Sequence, residues 1–267
     1  MRKILLLLSI STQFCIGQDP FSLPAIHIRS IVPGNGTAIL LLAQPASASR
    51  LKGFSAAACT ERRFLIEGLN HSMAAVGLPV SFGGIGLTID YLGSKEFNMS
   101  SAGLIYGKNL GKIDIGISFN YASIKLNGYG KASTIEFELG SLWQISERIH
   151  SSIVLKNPVG GKFGLDKTEK LPAVFRFGLG YKASDNVSIA VELIKEEEQK
   201  AGFNTGLCYA FNKKFFFQVG IQTPIASPYW SIGYQIKKLR IETYCSYHQQ
   251  LGFSPAISLI FLNADEK

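Results

Sequence analysis

Few residues of this sequence have the type and spacing that catalysis requires. Ser246 and His248 are two residues apart in an alternating apolar segment, so their side chains would share one face of a strand. A serine beside an imidazole is the arrangement of a hydrolytic nucleophile and its base. Serines are common throughout this region, however, and no nucleophile-elbow motif surrounds this pair. The sequence therefore predicts a protein that is not an enzyme.

Metal and cofactor sites are equally poorly supported. None of the four histidines has a second ligand at helical or hairpin spacing. The cysteines beyond the N-terminal segment, Cys59, Cys208 and Cys245, are odd in number and form no CxxC pair. We therefore expect no metal, no cofactor and no disulfide framework.

A larger set of candidate residues is charged and recurs on one face of alternating segments. We assign these residues to the interior of a barrel: Asp114, Glu136, Glu138, Arg176, Lys182, Glu192, Arg240, Glu242 and His248. Both signs of charge are present, which favours ion pairs and hydrogen bonds across the lumen. A solute-selective channel is the alternative, because a barrel of about 14 strands can leave a narrow pore.

The segments that carry these charges alternate with a period of two. Apolar residues alternate with Gly, Ser or charged residues in residues 113–122, 134–139, 175–182 and 187–193. One apolar face and one small or charged face is what a lipid-exposed barrel strand requires. A soluble secreted β-sandwich could show the same alternation and remains an alternative at this point.

The connections between these segments favour the barrel. Short turns near residues 80–83, 109–112, 146–148, 183–186, 212–214 and 237–238 interleave with mostly longer connections, of which residues 160–171 form the longest. Bacterial barrels have this asymmetry, with strands of about ten residues and an even strand number. The prediction is an all-β protein: a transmembrane antiparallel up-and-down barrel of about 14 strands with an irregular N-terminal extension.

The N-terminal residues predict export and set the domain boundaries. Met1-Arg2-Lys3, a short apolar run and small residues at Cys15 and Gly17 predict a cleaved signal peptide over residues 1–17. Residues 18–52 are rich in Pro and small residues and form either a periplasmic tail or a plug. Residues 53–267 form the barrel, which we expect in a bacterial outer membrane.

The amino-acid composition limits the classes of partner that this protein can bind. Hydrophobic residues make up 46% of the chain and charged residues only 17%, which suits contact with outer-membrane lipid. The formal net charge is +8, but no basic cluster with interleaved aromatic residues is present, so nucleic acid is excluded as a partner.

Several strand-level motifs resemble a known family. They are residues 63–65 (RFL), 102–110 (AGLIYGKNL), 114–121 (DIGISFNY), 156–158 (KNP) and 177–181 (FGLGY). These are similar to the PorV/PorQ-like outer-membrane barrels of Bacteroidota, within the FadL-type superfamily of 14-stranded barrels. The N-terminal Asn-Pro-Ala-Gly stretch of that group, which marks an internal hatch, is missing.

The resemblance implies two functional classes. PorV-like barrels act as partners of larger machines such as type IX secretion, whereas FadL-type barrels pass hydrophobic compounds. The balanced lumen and the missing hatch motif favour an accessory or structural subunit of an envelope complex, bound to other outer-membrane or periplasmic proteins. The alternative is an outer-membrane transport barrel for small or hydrophobic solutes.

Overall fold

The computed structural model describes residues 23–32, 34, 36–160, 162–163, 169–212, 214–224 and 226–263. The predicted signal peptide lies outside these residues. No helix in the described ranges is both long enough and apolar enough to cross a membrane.

The described chain is mostly β-strand. Its strands are β1 (Ser55–Arg62), β2 (Asn70–Val80), β3 (Gly83–Gly93), β4 (Phe97–Asn109), β5 (Ile113–Leu126), β6 (Gly130–Gln144), β7 (Ile149–Lys156), β8 (Lys162–Phe163), β9 (Glu169–Lys170), β10 (Val174–Lys182), β11 (Val187–Glu196), β12 (Gly202–Phe211), β13 (Phe215–Gln222), β14 (Ser227–Ile236), β15 (Leu239–His248) and β16 (Gly252–Leu262). The helices are α1 (Pro24–Ile31) and the 3-10 helices η1 (Ala38–Leu42), η2 (Pro45–Arg50) and η3 (Arg63–Leu65).

Fourteen of the strands form one closed antiparallel barrel, which confirms the predicted up-and-down topology. Each strand pairs with its neighbours in sequence, except that β7 pairs with β10 across a connection holding the two-stranded sheet β8–β9. The barrel closes between β1 and β16, where Ala57 lies opposite Ile260. We call the end with Ser55 and Leu262 the terminus end, and the opposite end the loop end.

The outward face of the barrel is apolar along its whole circumference. At mid-strand, Leu104 and Phe119 are 56% and 53% exposed, while the neighbouring Ser118 points inward and is buried. This alternation follows from the period of two in the sequence. An apolar outer face is what burial of the barrel in lipid requires.

The N-terminal segment lies inside the barrel. Helix α1 packs along β10–β14, η1 contacts β1–β3, and η2 contacts β2–β6. Since these strands lie on opposite sides of the ring, the described part of residues 23–51 occupies the lumen, and we call this segment the plug. Its residues Ile39 and Gln44 have no exposed surface.

Glycines in the wall let the plug backbone approach closely. A Cβ atom added at Gly84 would lie 1.9 Å from the carbonyl oxygen of Ala48, and one at Gly116 would lie 2.3 Å from the amide nitrogen of Ala46. Any other residue at these positions would push η2 off the wall.

Candidate functional site in the barrel lumen

A charged cluster in the middle of the lumen joins the plug to the wall. The Nη2 atom of Arg176 donates to the carbonyl oxygen of Ala43 at 2.7 Å and lies 3.3 Å from Oε1 of Glu138. Its Nε atom lies 4.0 Å from Oε1 of Glu192. The Nδ1 atom of His27, on α1, lies 3.4 Å from Oε2 of the same Glu192. Three predicted lumen residues therefore meet here, together with two plug residues.

A second cluster holds the C-terminal half of α1. The Nη1 atom of Arg29 donates to Oε1 of Glu242, and the Nε atom of Arg240 lies 2.8 Å from the same oxygen. The guanidinium of Arg240 also stacks over the ring of Phe216, 4.9 Å from its centroid. Burial opposes the charge on Arg29, but the Glu242 carboxylate outweighs it and raises the pKa of Arg29.

Asp114 anchors the end of η2 near the terminus end. Its Oδ2 atom accepts from Nε of Arg50 at 2.8 Å. Its Oδ1 atom accepts from Oγ of Ser49 and from Nδ2 of Asn109, each at 2.7 Å. Charged hydrogen bonds of this length are among the stronger polar contacts in proteins, so Asp114 ties η2 to the wall.

Gln44 forms the most deeply buried polar link of the plug. Its Nε2 atom donates to Oγ of Ser152 at 2.8 Å and to the carbonyl oxygens of Ser141 and Ile153 at 3.2 Å. Its Oε1 atom accepts from the amide of Ala46 at 3.2 Å, which caps the first turn of η2. One side chain thus starts the helix and binds it to β6 and β7.

The other predicted lumen residues are Glu136, Lys182 and His248. Glu136 lies beside the first cluster and lines, together with Glu138 and Arg176, a polar cavity of about 40 Å³ between η1 and the wall. Lys182 lies at the terminus-end rim and pairs with Asp185 at 2.9 Å, a hydrogen bond that lowers the pKa of the Asp185 carboxyl. His248 is at the loop end, where its Nδ1 atom accepts from the amides of Gln250 and Leu251 at 3.2 Å.

Sequence reasoning missed the plug side of every cluster: His27, Arg29, Gln44, Ser49 and Arg50. The sequence did contain a sign that the plug supplies cations to the lumen. The predicted lumen set holds five carboxylates but only three Lys or Arg residues. Because buried charges are paired, this imbalance indicates that cations reach the lumen from another segment.

A further polar cluster near the loop end was also missed. His71 is fully buried in β2, with its Nε2 atom 3.4 Å from Oδ1 of Asp90 and its Nδ1 atom 3.8 Å from Oε2 of Glu61. Arg63 lies 3.0 Å from the same Glu61 oxygen. In the described ranges, no three His, Cys, Asp or Glu side chains are arranged to hold a metal ion.

One sector of the wall is apolar on its inner face as well. Ala57, Met73 and Ile260 line β1, β2 and β16 on the inside and form one buried cluster with Ile39 and Leu41 of η1. This sector begins at Ser55 on the terminus end and is covered by the plug. The lumen therefore has a polar side, which binds the plug by charge, and an apolar side, which packs against it and hydrogen-bonds it at Ser55, whose Oγ atom accepts from the amide of Ala38 at 3.0 Å.

The fold matches several solved outer-membrane barrels. With the CymD monoaromatic hydrocarbon channel the TM-score is 0.61 at 10% identity, covering 88% of this chain and 95% of that chain. With the toluene transporter TbuX of Ralstonia pickettii it is 0.60 at 10% identity, covering 87% and 95%. With a FadL homologue of Pseudomonas aeruginosa it is 0.61 at 9% identity, covering 90% and 97%.

No protein-family model matches the sequence, and no curated protein matches it. At these identities the structural likeness concerns the fold alone. The narrower resemblance to PorV/PorQ-like barrels stays a prediction.

Proposed function

We propose that this protein is an outer-membrane barrel that passes small hydrophobic solutes, with the plug as its gate. The observation that carries the proposal is the apolar inner sector of β1, β2 and β16, covered by Ile39 and Leu41 of the plug. Displacing η1 would expose this apolar strip, along which a hydrophobic solute could pass. The solved barrels of this fold include a hydrocarbon channel and a toluene transporter, which supports the same class of solute.

The plug is suited to a gating role because its contacts are of two kinds. Salt bridges at Asp114 and Glu242 hold its two ends, whereas η1 makes apolar contacts that can be remade with a solute. The plug is present although the Asn-Pro-Ala-Gly stretch is not, so the missing motif no longer favours an accessory subunit. That hypothesis, with its envelope partners, stays a prediction.

A reversible lock tests the proposal. A Cβ atom built at Gly107 lies 3.0 Å from Cβ of Ala48 and 2.7 Å from the amide nitrogen of Ser49. The Cβ atoms of a disulfide are about 3.5–4.5 Å apart, so η2 must move slightly away from β4 to accept the bond. The double variant Ala48→Cys/Gly107→Cys should therefore tie η2 to β4 under oxidising conditions. The full-length protein is reconstituted in liposomes, and uptake of radiolabelled toluene is measured.

We expect uptake by the unmodified protein, loss of uptake in the oxidised double variant, and recovery after reduction. The two single variants are the matched controls, since neither can form the lock, and Gly107→Cys alone shows what crowding of η2 does to uptake. Uptake that persists in the oxidised double variant would contradict a gate that needs η2 to leave β4. Absence of uptake by the unmodified protein would overturn the transport proposal itself.

A further inference from the structure

A second cavity lies at the terminus end, between α1 and the inner wall of β11–β14. It has a volume of about 140 Å³ and opens beside the turn after β10. A cavity of about 150 Å³ with an apolar lining accepts one benzene ring. The space therefore suits a single aromatic ring and excludes a long acyl chain.

Part of the cavity lining is apolar. Its wall includes Val32 directly after α1, Cys208 and Ala210 of β12, and Phe216 of β13. The ring of Phe216 is held in place by the Arg240 guanidinium stacked over it, 4.9 Å from the centroid. A fixed aromatic side chain gives a flat ligand a surface on which to stack.

The polar part of the lining has unused hydrogen-bonding capacity. Gln218 and Arg29 both line the cavity. The Oε1 atom of Gln218 and the Nε atom of Arg29 are buried, and neither has a hydrogen-bond partner among the described residues. Gln218 is only 3% exposed, and its Nε2 atom is already bonded to the carbonyl oxygen of Ala25 at 3.1 Å. Buried polar atoms without partners are uncommon and point to a bound molecule or water.

The charge around the cavity is positive among the described residues. Arg29 and Lys182 line it and Arg240 lies behind Phe216, against the carboxylates of Asp185 and Glu242. Three cations therefore face two anions. A ligand with one negative charge would balance this set, and a carboxylate matches the geometry of a guanidinium.

We propose that this cavity binds a single-ring aromatic carboxylate, with the ring against Phe216 and Val32 and the carboxylate at Arg29. The cavity shares no lining residue with the polar cavity near Glu136. A role for this cavity in transport, as the final binding site of a solute at the terminus end, rests on the proposed function. Binding of the ligand does not. The protein would then pass acidic aromatic compounds as well as neutral ones.

Binding of benzoate to the purified full-length protein, measured by isothermal titration calorimetry in detergent, tests the site. We expect saturable binding of one molecule. Arg29→Met should weaken benzoate binding about tenfold or more, because a hydrogen bond to a charged group is lost. Ala210→Phe should abolish binding by filling the cavity from β12. The matched control is Leu207→Phe, on the outward face of the same strand, which should bind benzoate normally.

Three results would overturn the proposal: no saturable binding of benzoate, equal binding of benzoate and benzylamine, or unchanged binding in Ala210→Phe. Arg29→Met retains Arg240 beside Glu242, and heat-modifiable gel mobility shows whether each variant folds. Toluene uptake without benzoate binding would overturn the binding site and leave the transport proposal intact. Benzoate binding without uptake of any solute would overturn the transport proposal and leave the binding site intact.

Discussion

At the scale of residues, the plug is held by a few charged side chains that do not resemble one another in sequence context. Asp114 binds Arg50, Glu242 binds Arg29, and Arg176 binds the carbonyl of Ala43. Each wall residue lies on a regular strand, whereas each partner lies on a short helix of the plug or, for Ala43, directly after one. Removing a single partner leaves a buried charge or polar group behind, so each anchor is sensitive to substitution.

We predict that Asp114→Asn loosens η2 without disturbing the barrel. The amide keeps the shape of the side chain but loses the charge that Arg50, Ser49 and Asn109 bind. The expected cost is about 2 kcal/mol in the local stability of η2, or roughly 30-fold faster amide exchange in residues 45–51. Hydrogen-exchange mass spectrometry measures this. Asp185→Asn, in an exposed turn, is the control and should leave exchange unchanged; similar effects of both variants would argue against the anchor.

At the scale of elements, close approach of backbones decides how η2 sits in the barrel. Ala46 and Ala48 of η2 lie against Gly116 of β5 and Gly84 of β3, at distances that leave no room for a Cβ atom. The strands supply small residues on the inner face, and the irregular segment supplies Ala and Ser. Small residues on both sides allow an element to fill a narrow lumen, because packing in protein interiors leaves few voids.

Gly84→Ala is predicted to displace η2 from the wall. The new methyl group would meet the carbonyl oxygen of Ala48, a backbone atom that cannot move alone. Overpacking of this kind costs about 1–3 kcal/mol, which should appear as faster amide exchange in η2. In the control Gly103→Ala, the methyl group meets only side-chain atoms of Asn120 and Thr88. If the amides of η2 exchanged at the same rate in Gly84→Ala as in the unmodified protein, the close packing of η2 on β3 would be contradicted.

At the scale of the whole molecule, an apolar outer wall surrounds a mostly polar interior. The interior is filled by the chain's own N-terminal segment rather than by wall side chains alone. Barrels with fewer strands can be filled by their wall, but one of 14 strands needs an additional element or holds an open channel. The plug provides that element.

If the outer face contacts lipid, Phe119→Arg should destabilise the folded barrel strongly. Phe119 lies at the middle of β5 and points outward. An Arg on the lipid face near the bilayer centre costs about 2–4 kcal/mol, measured by denaturant titration of the protein folded into vesicles. Tyr129→Arg, in the exposed turn between β5 and β6, should have little effect. Equal destabilisation by both substitutions would show that the side chain at position 119 faces water, as the side chain at position 129 does, and not lipid.

The sequence by itself indicated the barrel strands, their faces and their approximate number, but not the short strands β8 and β9. A period of two is a local property, so alternation in residues 113–122 already indicates that Asp114 points inward and Phe119 outward. Turn residues such as Lys237-Lys238 are also local, and they are found at the predicted place. For the same reason, both the closed topology and most of the inward-facing charges could be predicted from pattern alone.

Only the tertiary structure decided what those inward charges bind. Arg29 and Glu242 are more than 200 residues apart in the sequence. Their contact depends on the path of the plug, whose sequence has no regular apolar repeat from which that path could be predicted. The closing pair of Ala57 and Ile260 and the cavity beside Phe216 likewise arise from the curvature of the ring. The stagger of the strands sets which side chains share a level in the lumen, and no single segment contains that information.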